Sequence, residues 1–121
     1  MKNDSFYHPR VTKKFIKDHD FKYSRGWSED GDSAYLIFVP VHRYHNLATL
    51  ELRIVVFESG QTRIDVLDCS SKGVYSPWYR GESYEKYPIL KEVDANINKI
   101  MTSMGFKNKE KRYGKKDNRS K

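Results

Sequence analysis

Between Leu47 and Glu58, Leu50, Leu52, Ile54 and Val56 alternate with Thr49, Glu51, Arg53, Val55 and Phe57. A period of two sends the first set to one face of a β-strand, which makes that face wholly apolar and the other mixed. A second run carrying Ile64 and Val66 follows the turn residues Ser59-Gly60-Gln61, so the two runs form a hairpin with one dry face. A slip of one residue would turn every side chain to the wrong side. A three-residue loop that pairs Val56 with Ile64 and Ile54 with Val66 keeps core opposite core, whereas a two-residue loop would set Arg53 against Val66. On the mixed face the longer loop places Phe57 opposite Arg63 and Val55 opposite Asp65. Such a surface is too mixed to be simply solvated and too polar to be buried without partners.

The hairpin's dry face needs a cover. Leu90, Val93, Ile97, Ile100 and Met104 recur at steps of three and four, with Lys91, Glu92, Asp94, Asn98 and Lys99 elsewhere on the wheel. Pro88 suits the first turn of this helix, Gly105 suits a left-handed cap, and Phe106 can fold back on Met101 or Ile100. A first helix is expected over residues 9 to 20, with Pro9 in its first turn and Val11, Phe15, Ile16 and His19 on one face. Asp30-Gly31 marks a hairpin turn ahead of a strand from Ala34 to His42, which is apolar on both faces apart from Tyr35 and so reads as central. Pro40 predicts a bulge or lost pairing near its end. The expected fold class is α+β: an N-terminal helix, a three- to four-stranded antiparallel sheet, and a long C-terminal amphipathic helix packed on one sheet face.

The chain has 121 residues, enough for one core, and residues 1–106 form the expected domain. Its net charge of +7 is unevenly spread. Residues 1–20 carry +2, residues 21–104 carry −1, and residues 105–121 carry +6. Residues 107–121 have almost no apolar side chains to offset the entropy of ordering, so a flexible basic tail is expected there. Mobile cations seek phosphate. About five of them on duplex phosphates would give a slope near −4.5 in log affinity against log salt, although basic termini also serve solubility alone. Cys69 is the single cysteine, so no intrachain disulfide forms. The absence of a signal-peptide pattern and of a long apolar run reads as a cytoplasmic protein with no membrane partner.

Three groups of side chains are candidate binding residues. The tail supplies Lys107, Lys109, Lys111, Arg112, Lys115, Lys116 and Arg119. Residues 74–87 hold five aromatics with Arg80 and Lys86, and Trp78, Tyr79, Arg80 and Lys86 are the ones expected to stack bases or anchor a protein. The alternative is that this connection wraps the sheet edge and its rings close the core. Arg43 and Tyr44 lie in the loop His42-Arg43-Tyr44-His45-Asn46. His42 and His45, three apart, could supply two metal ligands or an acid-base pair, but no third ligand, phosphate loop or activated nucleophile accompanies them. No catalytic residue, metal or cofactor is therefore expected, and Cys69 reads as a small buried hydrophobe.

Three resemblances accompany these residues. The order helix, antiparallel strands, helix resembles the double-stranded-RNA-binding domain, whose second helix starts with lysines where this chain reads Tyr87-Pro88-Ile89-Leu90-Lys91. The segment Lys14-Phe15-Ile16-Lys17-Asp18-His19-Asp20-Phe21-Lys22-Tyr23-Ser24-Arg25-Gly26 is similar to small toxin-type RNases, with Trp27-Ser28 standing where they place a catalytic histidine. Gly26-Trp27, His42-Arg43-Tyr44-His45, the last helix and the tail are similar to small phage-encoded inhibitors of the anti-CRISPR type, which pair a compact α/β body with a basic arm. That likeness implies a nucleoprotein partner such as a CRISPR effector, with the tail on phosphates and the aromatic loop on protein. The resulting expectation is a non-enzymatic binding protein acting on nucleic acid or a nucleoprotein complex. Its alternatives are a protein-protein or homodimer module using the mixed sheet face with Phe57, Arg63 and Arg53, and a His-dependent or metal-assisted nuclease.

Overall fold

The computed structural model describes residues 3–25 and 33–109. Along the chain run β1 (Phe6–Tyr7), α1 (Lys13–Asp18), β2 (Lys22–Tyr23), β3 (Ala34–Tyr44), β4 (Leu47–Phe57), β5 (Thr62–Asp68), α2 (Ser76–Tyr79), α3 (Ile89–Ser103) and β6 (Lys107–Asn108). One antiparallel sheet has the order β2-β3-β4-β5, and a two-stranded antiparallel sheet joins β1 to β6. The fold is α+β. The Asp30-Gly31 turn expected between β2 and β3 lies outside the described residues.

Local chemistry sets the element limits. Helix α1 begins later than residue 9, because Thr12 rather than Pro9 starts it: the Thr12 hydroxyl accepts the Phe15 N–H at 3.1 Å. The β3–β4 connection is shorter than the expected loop. His45 and Asn46, both at positive φ (49° and 69°), form a two-residue turn, so Arg43 and Tyr44 belong to the strand. Pairing slips on both sides of His42, close after Pro40, which is the expected irregularity. Helix α3 ends in a Schellman motif: Gly105 has φ +89°, Phe106 N–H donates to Met101 O and Gly105 N–H to Thr102 O, each at 3.0 Å.

The β4–β5 register differs from the expected one by two residues. Ile54 pairs with Ile64, Leu52 with Val66, Val55 with Arg63 and Arg53 with Asp65. The loop still has three residues, but they are Glu58, Ser59 and Gly60, closed by Gly60 N–H to Phe57 O at 2.8 Å and Phe57 N–H to Gln61 O at 2.9 Å. Gly60 takes the left-handed last position of the loop, with φ +96°. A Cβ there would stand 2.2 Å from the His8 carbonyl oxygen, so the N-terminal segment also demands glycine. Since the change is an even number, both faces keep their side chains and only the cross-strand partners change.

The core lies between the dry face of the large sheet (Leu50, Leu52, Ile54, Val56, Ile64, Val66) and α3, which buries Leu90, Val93, Ile97 and Met101. Phe6, Phe15, Phe21 and Phe106 complete it at the α1 end. Around that end His8 is buried between Phe15 and Phe106, with ring centroids 4.1 and 4.9 Å away. Its Nδ1 accepts the Arg10 N–H at 3.1 Å while Nε2 lies 3.2 Å from Met104 O, and burial pushes its pKa down.

The outer edge of β5 is covered along its length. Ile64 N–H donates to Asn3 O, Tyr75 N–H to Val66 O and Asp68 N–H to Gly73 O, each at 2.8 Å, and Val66 N–H donates to the Tyr79 hydroxyl at 3.2 Å. The N-terminal segment and the α2 connection thus block strand addition there. Lys107 and Asn108, which the sequence places at the start of the tail, belong to the folded domain: they pair with Tyr7 and Phe6, and Lys109 N–H donates to Ser5 O at 2.7 Å.

Candidate nucleic-acid interface

Helices cover one face of the large sheet, so attention falls on the other. There β2 contributes Lys22, β3 Leu36, Phe38 and Pro40, β4 Glu51, Arg53, Val55 and Phe57, and β5 Arg63, Asp65 and Leu67. Phe38 stands directly opposite Arg53, which stands directly opposite Asp65. Phe38 is 46% exposed, whereas Asp65 is 2% exposed and Val55 is fully buried.

Asp65 is the centre of this face. One carboxylate oxygen accepts from Arg53 Nη2 at 2.9 Å and lies 3.6 Å from Arg63 Nε, and the other accepts from the Tyr79 hydroxyl at 2.7 Å. A buried carboxylate is tolerated because charged and hydroxyl donors replace its lost water. Burial, followed by the bond to Asp65, pushes the Tyr79 phenol far above its ordinary pKa, so it stays a protonated donor. Tyr79 reaches Asp65 around the sheet edge, and its hydroxyl accepts the Val66 N–H on the way. The result is a clamp that lays Arg53 and Arg63 along the sheet. The Arg63 side chain remains 51% exposed and that of Arg53 24%.

The residues singled out from the sequence fall in separate places. Trp78 is an interior residue, 3% exposed, and its indole N–H donates to Asp94 Oδ1 at 3.0 Å while the Tyr84 hydroxyl donates to Asp94 Oδ2 at 2.6 Å. A ring committed to the core offers no face to a base, so the expectation that Trp78 stacks on a partner is corrected. Tyr79 serves the Asp65 clamp. Arg80 and Lys86 are exposed and converge on Glu82, at 2.8 and 3.7 Å. Tyr44 is exposed at the β3–β4 tip with its ring against His45, and the Arg43 guanidinium donates to Asn46 O at 3.2 Å. Lys107 and Lys109 lie at the β1–β6 pair, and Lys111, Arg112, Lys115, Lys116 and Arg119 lie outside the described residues.

His42 and His45 have separate surroundings. His42 bonds through Nδ1 to Thr49 and lies 3.5 Å from Glu92 through Nε2, while His45 occupies the turn. Among the described residues no group of three or more His, Cys, Asp or Glu is placed to hold a metal ion. Burial raises the Cys69 thiol pKa, opposite to the shift that activates a nucleophile. Among the described residues no helix is long and apolar enough to cross a membrane.

Phe38 has no sequence signal as a surface residue, because a strand apolar on both faces reads as buried on both. Its exposure follows from the shortness of β2, which pairs only with Tyr35 and Leu36. The Asp65 clamp carried a usable signal, a lone acid between Ile64 and Val66, but its arginine partner depends on the register. Comparison of the chain with family models, curated proteins and solved structures finds no match.

Proposed function

We propose that this is a non-enzymatic nucleic-acid-binding protein that receives the phosphate backbone on the outer face of its large sheet and on the basic sequence that follows it. The observation that carries the reading is the junction between the two. Lys109 N–H bonds to Ser5 O at 2.7 Å and Ile64 N–H to Asn3 O at 2.8 Å, so with two residues of backbone between them Lys109 N and Ile64 N are no more than about 12 Å apart. Ile64 lies between Arg63 and Asp65, so Lys109, the last described residue, is tied through the N-terminal segment to the strand that carries the arginine clamp. Residues 110–121 add six Lys/Arg against Glu110 and Asp117. In the setting implied by the likeness to phage-encoded inhibitors, the nucleic acid is presented by a nucleoprotein complex, a CRISPR effector among them.

Self-association through the same face is the competing reading. A standard interface covers about 800 Å² per partner around an apolar centre. Of the exposed large hydrophobics among the described residues, only Phe38 stands on this face, which favours a charged partner. The test is fluorescence anisotropy with a labelled oligonucleotide of about 16 nucleotides at several salt concentrations. Affinity should fall steeply with salt, and removing residues 110–121, a net charge of +4, should flatten the slope by up to about 3. Absence of binding at low salt, an unchanged slope after truncation, or salt-insensitive dimerisation by light scattering would overturn the proposal.

A further inference from the structure

Resting on the nucleic-acid reading above, we infer that the outer face takes a single strand, with Phe38 stacking on a base and Arg53 and Arg63 contacting the adjoining phosphates. The Glu58 N–H to Ser33 O bond fixes which β3–β4 pairs are hydrogen-bonded, and alternation then makes Phe38 and Arg53 a non-hydrogen-bonded pair. Their Cα atoms therefore lie about 4.5 Å apart, with side chains rising side by side. From β3 to β5 is two strand spacings, about 10 Å, so an oligonucleotide running obliquely across the sheet meets the ring first, then Arg53, then Arg63, which stands opposite Val55 two residues along β5 from Asp65. Glu51, opposite Pro40, sets a negative charge to one side of that path.

A duplex does not use this arrangement. Its bases are stacked on one another and its outer surface is phosphate and sugar, so a ring rising from a sheet has no π-face to meet. An unpaired base has one, and stacking on an aromatic side chain is tolerant of sequence. The clamp supplies the second requirement. With Asp65 hydrogen-bonded to Arg53, and Tyr79 hydrogen-bonded to Asp65, the Arg53 guanidinium is set before binding and loses little freedom on contact, while half-exposed Arg63, 3.6 Å from the same carboxylate, adds its charge beside it.

The experiment compares Phe38→Ala and Phe38→Tyr with the unaltered chain, using an oligo-U single strand and a hairpin duplex of matched phosphate number. Phe38→Ala should weaken single-strand binding by about 5- to 150-fold, the range supplied by one stacked base, while leaving the salt slope unchanged. Phe38→Tyr should restore affinity to within a few-fold, and the duplex should bind more weakly than the single strand. Circular dichroism and thermal unfolding of both variants establish that they are folded. Salt-sensitive binding that ignores Phe38→Ala, or equal affinity for duplex and single strand, overturns this inference and leaves the broader proposal standing. No binding of either oligonucleotide defeats both. Dimerisation that Phe38→Ala abolishes would assign the face to a second copy and would also overturn it.

Discussion

Replacing Tyr79 with phenylalanine isolates one hydroxyl and leaves its ring in place. That hydroxyl donates to buried Asp65 Oδ1 at 2.7 Å and accepts Val66 N–H at 3.2 Å. The aromatic edge contact with Trp78, at 4.8 Å between centroids, is preserved, so no cavity opens. A hydrogen bond to a charged group contributes about 1.5–3 kcal/mol, and an amide left without its acceptor adds about 1 kcal/mol where water does not replace it. The expected loss is therefore about 2–4 kcal/mol, a large part of the roughly 5–15 kcal/mol that stabilises a domain of this size. Urea denaturation followed by circular dichroism measures it as a lower midpoint at unchanged m-value. A double-mutant cycle with Asp65→Asn should then return a coupling above about 0.5 kcal/mol, since the two groups touch. A midpoint shift worth less than about 0.5 kcal/mol in Tyr79→Phe would refute the argument that this hydroxyl holds the buried carboxylate.

Gly60→Ala should destabilise by more than about 3 kcal/mol, because its Cβ would fall 2.2 Å from the His8 carbonyl oxygen at φ +96°; thermal unfolding would report it. His8 has its pKa lowered chiefly by burial, so the unfolded chain takes up a proton near pH 6.5 that the folded one refuses. Its contribution to stability is thus present above that pH and lost as pH falls below it, with a slope of at most about 1.4 kcal/mol per pH unit; urea midpoints between pH 7.5 and 5 should show the decline, and His8→Gln should remove it. Trp78→Phe keeps most of the buried ring but loses the bond to Asp94, at a cost of about 1–2 kcal/mol, and should leave oligonucleotide affinity unchanged in the anisotropy assay.

The parts of the fold that were legible in the sequence are those governed by periodicity and local caps. The α3 stripe, the dry face of β4 and β5, the irregularity beyond Pro40 and the Gly105 cap all follow from side-chain spacing or from one residue's backbone preference. The β4–β5 partners are not legible, because a turn centred on Gly60 and one centred on Ser59 both keep core opposite core, and only the preference of a three-residue loop for glycine in its last position separates them. Only the second of these sets Arg53 opposite Asp65. Trp78 was ambiguous for another reason: an aromatic in a connection looks the same whether it meets a partner or its own core, and only the position of Asp94 on α3 decides. Pairing of Lys107–Asn108 with Phe6–Tyr7 has no local signature, since two residues of strand carry no readable period.

That last pairing has a consequence for how the molecule is made. A ribosome delivers Phe6 and Tyr7 about a hundred residues before their partners Asn108 and Lys107, so the small sheet can close only after synthesis has passed position 108. The same adjacency means that a short glycine-serine bridge could join the two ends of the domain. Reopening the chain at the exposed His45–Asn46 turn would then yield a circular permutant with the fold intact, in which the basic sequence is attached at a different point of the domain without deleting a single charge.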